Sequence, residues 1–463
     1  MSSELFSVIV LAAGKGTRMR SSRPKVLHPL AGRPLLSHVL DAALALNPAA
    51  IYVVYGHGGD AVASAHAGYP VQWVEQPQQL GTGHAVRCAV DGIPDDHRVL
   101  VLYGDVPLIQ ADTLTPLLSA PGVALLSAEL ADPAGYGRVV RAGQEVRGIV
   151  EEKDATPEQQ AIREINTGLL SAPARHLKRW LADLQADNAQ GEYYLTDVVA
   201  MAVAEAVPVT GMPVGDPAEV QGVNDLVQLA GVERLWQRRA AERLMRAGLH
   251  LVNPDRFELR GELAHGEDCR IDAGVVCEGR VELGHRVTLG PGVVLRDTRI
   301  ADDAVVDAYS VVEGAEVGIE AVVGPFARLR PGTVLAKGAK VGNFVETKAV
   351  RLGPGSKANH LTYLGDAEVG AGVNIGAGTI TCNYDGAGKH TTRIDDDAFI
   401  GSGTELVAPV TVGRGATIGA GTTLSQDAPP GALTLERTRQ RTVENWQRPG
   451  KPPSDGSTGD ERQ

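Results

Sequence analysis

The stretch IDDDAFIGSGTELVAPVTVGRGATIGAGTTL, residues Ile394 to Leu424, decides the architecture of half the chain. Aliphatic residues fall at Ile394, Ile400, Leu406, Val412, Ile418 and Leu424, one every six positions, usually beside a Gly, Asp or other small residue. The same period precedes it at Leu283, Leu289 and Leu295, at Ile300, Val306 and Val312, and at Val317, Val323, Leu329, Leu335 and Val341. Each run restarts after a one-residue slip. A six-residue period suits neither an α-helix nor an alternating strand, and it is a signature of a parallel β-helix. In such a coil the periodic aliphatic side chains fill the axis and small residues ease the corners.

Outside the repeat, 463 residues are too many for one ordinary core, so two domains are expected. A formal charge of -12 argues against broad nucleic-acid binding, which needs a basic face, but permits small anionic ligands held by a few placed cations. Cys88, Cys269, Cys277 and Cys382 show neither CxxC spacing nor disulfide-scaffold density, which points to a reducing compartment without structural zinc. The chain runs directly into a strand with no signal-like segment, and no apolar run approaches a membrane span. A cytoplasmic protein is expected.

Residues 1–226 alternate strands and helices. Ser7 to Ala13, Ile51 to Tyr55 and Val99 to Tyr103 are β-branched or aliphatic runs followed by Gly and polar residues, then by helix-compatible segments. This rhythm predicts a mostly parallel, helix-covered sheet with ligands beyond the C-terminal ends of its strands. Leu226, Leu229, Ala230, Val232, Leu235 and Trp236 lie apolar amid Glu and Arg, predicting a linker helix over 227–247 that stops at Gly248. The repeat domain, 248–463, follows. Its tail from about Pro449, rich in Pro, Gly, Ser and charge, reads as disordered.

Two strand ends carry chemistry. LAAGKGTRM, Leu11 to Met19, places Gly14 and Gly16 in a close backbone turn without being a Walker A loop, and Arg18 and Lys25 follow it. Backbone N–H groups with Arg and Lys are how proteins hold a triphosphate while charge moves among its oxygens. In LYGDVPL the apolar run stops at Asp105, a turn or cap residue by default and, beside a phosphate loop, a hard oxygen ligand for Mg²⁺.

In the repeat, the six-residue phase lapses between Ile375 and Ile394, where the sequence reads GAGTITCNYDGAGKHTTR. A loop extruded from a coil costs little packing and is a place to build a site. Arg330, Lys348, His360, Tyr363, Asn374, Asn383 and Tyr384 concentrate polar chemistry in this region. His360 is the acid-base candidate, since an imidazole titrates near neutrality and can accept a proton from an amine. Glu346 is a further candidate, for orienting the site or His360.

The ordered set LAAGKGTRM with RPK, QLGTGHA, YGDVPL, GYGR, VEEKDA, EINTG, GEYYLTD and GVND resembles the sugar-1-phosphate uridylyltransferases of the nucleotidyltransferase fold. With NHLTYLGD and TCNYDG in a hexapeptide-repeat half, nearly the whole chain resembles the bifunctional N-acetylglucosamine-1-phosphate uridyltransferase / glucosamine-1-phosphate acetyltransferase family. The resemblance implies a Rossmann-like mixed α/β sheet, a linker helix and a left-handed parallel β-helix, assembled as a homotrimer. It implies nucleotide contacts at Leu11, Ala12, Ala13, Gly14 and Lys25, with Gln76, Gly81 and Thr82 near the uracil of UTP. Sugar and phosphate contacts are implied at Tyr103, Gly104, Gly137, Glu151, Asn166 and Asn224, with Mg²⁺ held by Asp105 and Asn224. For the second half it implies His360 as general base, glucosamine 1-phosphate held by Arg330, Lys348, Tyr363 and Asn374, and acetyl-CoA at Ala377, Asn383, Tyr384, Ser402, Ala420 and Arg437. N-acetylglucosamine 1-phosphate would link the two halves as product of one and substrate of the other. Nucleic acid and membrane are not expected partners. Leu226 departs from the family pattern, which more often has Arg after GVND.

An alternative reading makes the β-helix a non-catalytic oligomerisation module of a sugar-1-phosphate nucleotidyltransferase, which predicts a featureless repeat. A scaffold without catalysis would leave the cations and Asp105 of the first half unexplained.

Overall fold

The structure is a computed structural model that describes residues 5–448 apart from Lys15, His57 and Thr438. The tail read as disordered lies almost wholly outside the described residues. Two compact units divide the chain, Met1–Glu313 and Gly314–Gln463.

In the first unit, nine strands form a mixed sheet: β1 Phe6–Ala12, β2 Ala50–Tyr55, β3 Gln72–Glu75, β4 Arg98–Tyr103, β5 Val123–Glu129, β6 Arg138–Ala142, β7 Glu145–Val150, β8 Glu164–Pro173 and β9 Val209–Pro213. The sheet order is β9-β5-β8-β4-β1-β2-β3, with the β6–β7 hairpin attached to β8. Only β8 breaks the parallel run, lying antiparallel to β4 and β5. Alternation along β1 explains why the sheet is covered on both faces. Ile9 and Leu11 enter one buried layer, with Val99 and Val101, while Val8, Val10 and Ala12 enter the other, with Leu100 and Leu102. The C-terminal ends of β1 and β4 therefore open together at Ala13 and Asp105.

The linker helix spans Leu226–Arg246. Asp225 caps it by accepting from the Gln228 N–H at 2.8 Å, while Gln228 accepts from the Asn224 N–H at 2.7 Å. Gly248, at φ 103°, supplies the left-handed exit expected of a helix end. Val232, Leu229 and Trp236 pack with Met19, Leu30, Leu35, Leu108 and Val223, so the helix completes a core of its own with the GxG segment. Its Gln237 amide exchanges two hydrogen bonds with the Leu259 backbone, at 2.8 and 2.9 Å, tying it to the first coil strand, Glu258–His265.

Coils fill the rest of both units. In the second, parallel rungs pair Val323 with Val341, Val341 with Ala358 and Ala358 with Ile375, steps of 18, 17 and 17 residues. Three six-residue sides per turn give that perimeter, and the one-residue slips are the turns that use 17. The arrangement is consistent with a left-handed β-helix of hexapeptide repeats. All six phase positions from Ile394 to Leu424 are buried, and each such aliphatic side chain contributes roughly 1.5–3 kcal/mol over an exposed one.

The interruption is shorter than the sequence suggests. Six residues after Ile375 stands Thr381, only 1% exposed, on a strand Ile380–Cys382 that still pairs with its neighbours. Its hydroxyl accepts from the Gly365 N–H at 2.7 Å and donates to the Gly365 carbonyl at 3.1 Å. A β-branched residue with a satisfied hydroxyl thus stands in for an aliphatic one. Chain is extruded only between Cys382 and the next strand at Thr392–Ile394, so the rung from Ile375 to Ile400 takes 25 residues.

Candidate active sites

At the strand ends of the first unit, Leu11, Ala12, Ala13, Gly14, Lys25, Gln76, Gly81, Thr82, Tyr103 and Asp105 line one cavity of about 520 Å³. Gly16, at φ 59°, explains the GxG turn: a Cβ there would lie 2.7 Å from Lys25 Cβ, so glycine lets the lysine cross the loop. The Lys25 ammonium donates to the Asp105 carboxylate and, at 3.3 Å, to Asn224 Oδ1, while Arg18 donates to the same amide oxygen at 3.1 Å. Two cations and two hard oxygen donors from four separate segments thus meet. The GVND motif reaches this point because Val223 N–H donates to the Asp105 carbonyl at 2.9 Å.

Gly104 packs tightly over Val26 and Leu36 and backs the cavity. Gly137, Glu151 and Asn166 gather beside it. The Asn166 N–H donates to the Gly137 carbonyl at 2.8 Å, and a Cβ on Gly137 would lie 3.3 Å from the Glu151 carboxylate. Thr196 donates to Glu151 at 3.1 Å. Burial raises the Glu151 pKa despite that bond, and Asp197 and Asp154 push it the same way. Tyr103 is raised strongly, by burial first and then by Glu151 and Asp105, so its phenol stays protonated. Gln76 is fixed by donating to the Gly81 carbonyl at 3.2 Å.

In the second unit, the residues singled out in the repeat fall into two groups flanking one corner of the coil. Before the corner runs a column with one residue per turn. Asn343 pairs in register with His360, Gly376 abuts Ser402, Gly401 abuts Ala420, and Gly419 approaches Arg437. Asn343, His360, Ala377, Ser402, Ala420 and Arg437 are therefore successive rungs, with the extruded loop interposed after Ala377. Asn374 lies on the same face, paired with Lys357 and Phe399.

After the corner, Arg330 makes a 2.9 Å ion pair with Glu346, and Lys348 pairs in register with Gly365. A Cβ on Gly365 would strike the Tyr363 hydroxyl and the Asn383 amide, so this glycine makes room for both polar groups. Asn383 in turn donates to Asp366. Tyr384 stands exposed on the extruded loop, bridged to Lys389. Lys389 depresses the pKa of Lys348, with Arg330 adding to the effect and Asp366 opposing it. Three cations so close together favour a multiply charged anion between them.

The Glu346 carboxylate is paired with Arg330. The imidazole partner is Asn343, whose Oδ1 lies 2.6 Å from His360 Nδ1.

Comparisons with known proteins match a different family model in each unit. The MobA-like NTP transferase domain model matches residues 8–166, and the bacterial transferase hexapeptide (six repeats) model matches residues 391–426. A curated relative, the bifunctional protein GlmU of Alkalilimnicola ehrlichii, is 63% identical over 460 residues, covering 99% of each chain. The chain belongs to the bifunctional GlmU family. A solved nucleotidyl transferase from Methanothermobacter thermautotroptrophicus is 20% identical with a TM-score of 0.36, covering 53% of this chain and 99% of its own. That likeness is too slight to bear on fold or function.

As a GlmU-family chain the protein is a bifunctional transferase, with a nucleotidyltransferase half and a hexapeptide transferase half. Several residues at the two candidate sites escaped the sequence reading. Gln79 and Glu192 line the nucleotidyltransferase cavity, and Gln79 donates to the Ala13 carbonyl. Both stand in strings already quoted, QLGTGHA and GEYYLTD. Lys389, in GAGKHTT, was visible as the one cation of the interruption before its closing HTTR. Asn343 carried no local signal.

Proposed function

We propose that this GlmU-family enzyme of UDP-N-acetylglucosamine synthesis works at the two sites just described, acetylating glucosamine 1-phosphate in the coil and joining the product to UMP at the sheet. In the coil, Arg330, Lys348 and Lys389 hold the sugar phosphate, and Tyr363 and Asn374 hold the ring. Acetyl-CoA runs past Ala377, Asn383, Tyr384, Ser402, Ala420 and Arg437. His360 takes the proton of the amine as its nitrogen bonds to the thioester carbonyl carbon; the C–S bond breaks and CoA leaves as thiolate.

At the sheet, Leu11, Ala12, Ala13 and Gly14 cradle UTP, with Gln76, Gly81 and Thr82 at the uracil. Tyr103, Gly104, Gly137, Glu151, Asn166 and Asn224 position N-acetylglucosamine 1-phosphate. A phosphate oxygen of that sugar attacks the α-phosphorus in line and pyrophosphate departs, with Arg18 and Lys25 offsetting the charge that develops. No protein base is required, because the attacking phosphate is already anionic.

Asp105 and Asn224 suit Mg²⁺: both offer hard oxygen atoms, and both already share one cation, the Lys25 ammonium. When bound, the ion neutralises phosphate charge.

The observation that carries the bifunctional reading is the column from His360 to Arg437. It gives the repeat a polar, loop-flanked edge that a non-catalytic coil has no need of. A homotrimer suits the same corner. Phe326, Phe344 and Leu361, 48, 57 and 62% exposed, stack along it, the two rings 5.5 Å apart, and such an apolar ridge beside a site is suited to cover by another copy of the chain. No helix among the described residues is long and apolar enough to cross a membrane, and we read the enzyme as cytoplasmic. The testing assay combines glucosamine 1-phosphate, acetyl-CoA, UTP and Mg²⁺, omitting one at a time. UDP-N-acetylglucosamine should form only with all four, and its formation without acetyl-CoA would overturn the acetyl-transfer assignment.

A further inference from the structure

We infer that Asn343 is a positioning residue for acetyl transfer: it fixes the tautomer and the orientation of the His360 imidazole, presenting Nε2 as the proton acceptor. The inference rests on the reading of His360 as general base. Its warrant is the architecture of the rung. Asn343 ends the strand Lys340–Asn343 and His360 ends the next, Lys357–His360, in register, so the parallel ladder sets the two side chains next to each other.

Both backbones are clamped where the side chains meet. The Asn343 carbonyl accepts from the Leu361 N–H at 3.1 Å, and the buried Thr362 hydroxyl donates to the His360 carbonyl at 2.7 Å. Leu361 sits between them in the left-handed region, at φ 48°. With the main chain held, the imidazole retains freedom chiefly about its own side-chain torsions. The Asn343 contact at 2.6 Å removes that freedom.

The chemistry of the pair sets the proton arrangement. With Asn343 Oδ1 accepting, Nδ1 carries the hydrogen and Nε2 has the free lone pair. In the reaction that lone pair takes the amine proton as the N–C bond forms and the C–S bond breaks, and the departing CoA thiolate is later protonated. The opposite tautomer would turn an N–H towards the amine and block the step. Two other polar groups near the pair are engaged elsewhere: Glu346 is paired with Arg330, and the Thr362 hydroxyl with the backbone.

The test measures both activities of the full-length enzyme. Asn343→Leu keeps the size and removes the acceptor. It should lower kcat for acetyl transfer at least about tenfold, a part of the roughly 10²–10⁴ that general-base catalysis contributes, while KM for glucosamine 1-phosphate stays within about twofold. Asn343→Asp keeps an acceptor oxygen and should bring kcat back to within roughly threefold of the parent. Uridylyl transfer should be unchanged in both, which reports an intact fold. In a His360→Ala background, Asn343→Leu should have no further effect. Parental kcat in Asn343→Leu, a rise in KM with kcat kept, or failure of Asn343→Asp to rescue would overturn the inference. If His360→Ala itself acetylates normally, the reading of the base fails instead. Should the leucine variant not fold, Asn343→Ala replaces it with the same expectations.

Discussion

The Lys25 ammonium spans Asp105 and Asn224, so a single protein cation holds together the two residues proposed to bind Mg²⁺. Any metal ion taken up by this pair meets that like charge. Lys25→Met should therefore tighten Mn²⁺ binding to the free enzyme by at least roughly threefold to tenfold, the scale of one like-charge interaction of about 1 kcal/mol screened as in bulk water. Uridylyl transfer should fall at the same time, because Lys25 also faces the phosphates. Electron paramagnetic resonance of free Mn²⁺ reads the first effect without turnover.

Asp105→Ala should abolish both Mn²⁺ binding and UTP-dependent turnover while leaving acetyl transfer within about twofold of the parent. Parallel assays of the two half-reactions decide it. Loss of both activities together would argue against independent sites.

The mirror-image experiment is His360→Ala, expected to remove acetyl transfer, by at least about 10² in kcat, with uridylyl transfer retained. Lys389→Met should act differently. It removes one of three cations from the phosphate region, so the KM for glucosamine 1-phosphate should rise more than kcat falls.

Glu151 makes a prediction about pH. Its folded-state pKa is raised by burial, so the native protein holds its proton more tightly than the unfolded chain does. Stability then falls as pH rises from the unfolded value through the raised folded one. Glu151→Gln should raise the melting temperature at pH 7, on the order of 1 to 3 °C, and make little difference at pH 4. Uridylyl transfer should be weakened in the same variant, since the carboxylate is proposed to hold the sugar.

Phe344→Glu places charge in the middle of the apolar ridge. Sedimentation should show a smaller assembly than the parent. Acetyl transfer should fall with it, because His360 borders that corner, whereas uridylyl transfer should persist in the dissociated chain.

Much of this was legible from residues alone. The six-residue phase marked the axis of the coil, and the strand-end glycines and cations fall at the cavity beyond β1 and β4, because both are local chemical patterns. The misses are equally physical. Thr381 falls inside the stretch read as out of phase, yet it keeps the six-residue step with its hydroxyl satisfied by Gly365. The hydrogen-bond partner of His360 is set by stacking of the coil. Asn343 lies 17 residues back, one turn of the coil, a distance that has meaning only once the perimeter is known. Lys389 became visible as a ligand-binding candidate only when the loop brought it against Lys348.

The capped start of the linker helix bears on how the enzyme can be dissected. Scissors guided by motifs would cut just after GVND, and a fragment ending there would keep every residue of the sheet site. It would lose Val232 and Trp236, the lid over Met19, Leu30 and Leu35, and with them Gln228, which tethers Asn224. A stand-alone nucleotidyltransferase, or a chimera carrying another family's coil, should therefore be built to run through Arg246. A cut there keeps that lid and gives up the two hydrogen bonds between Gln237 and Leu259.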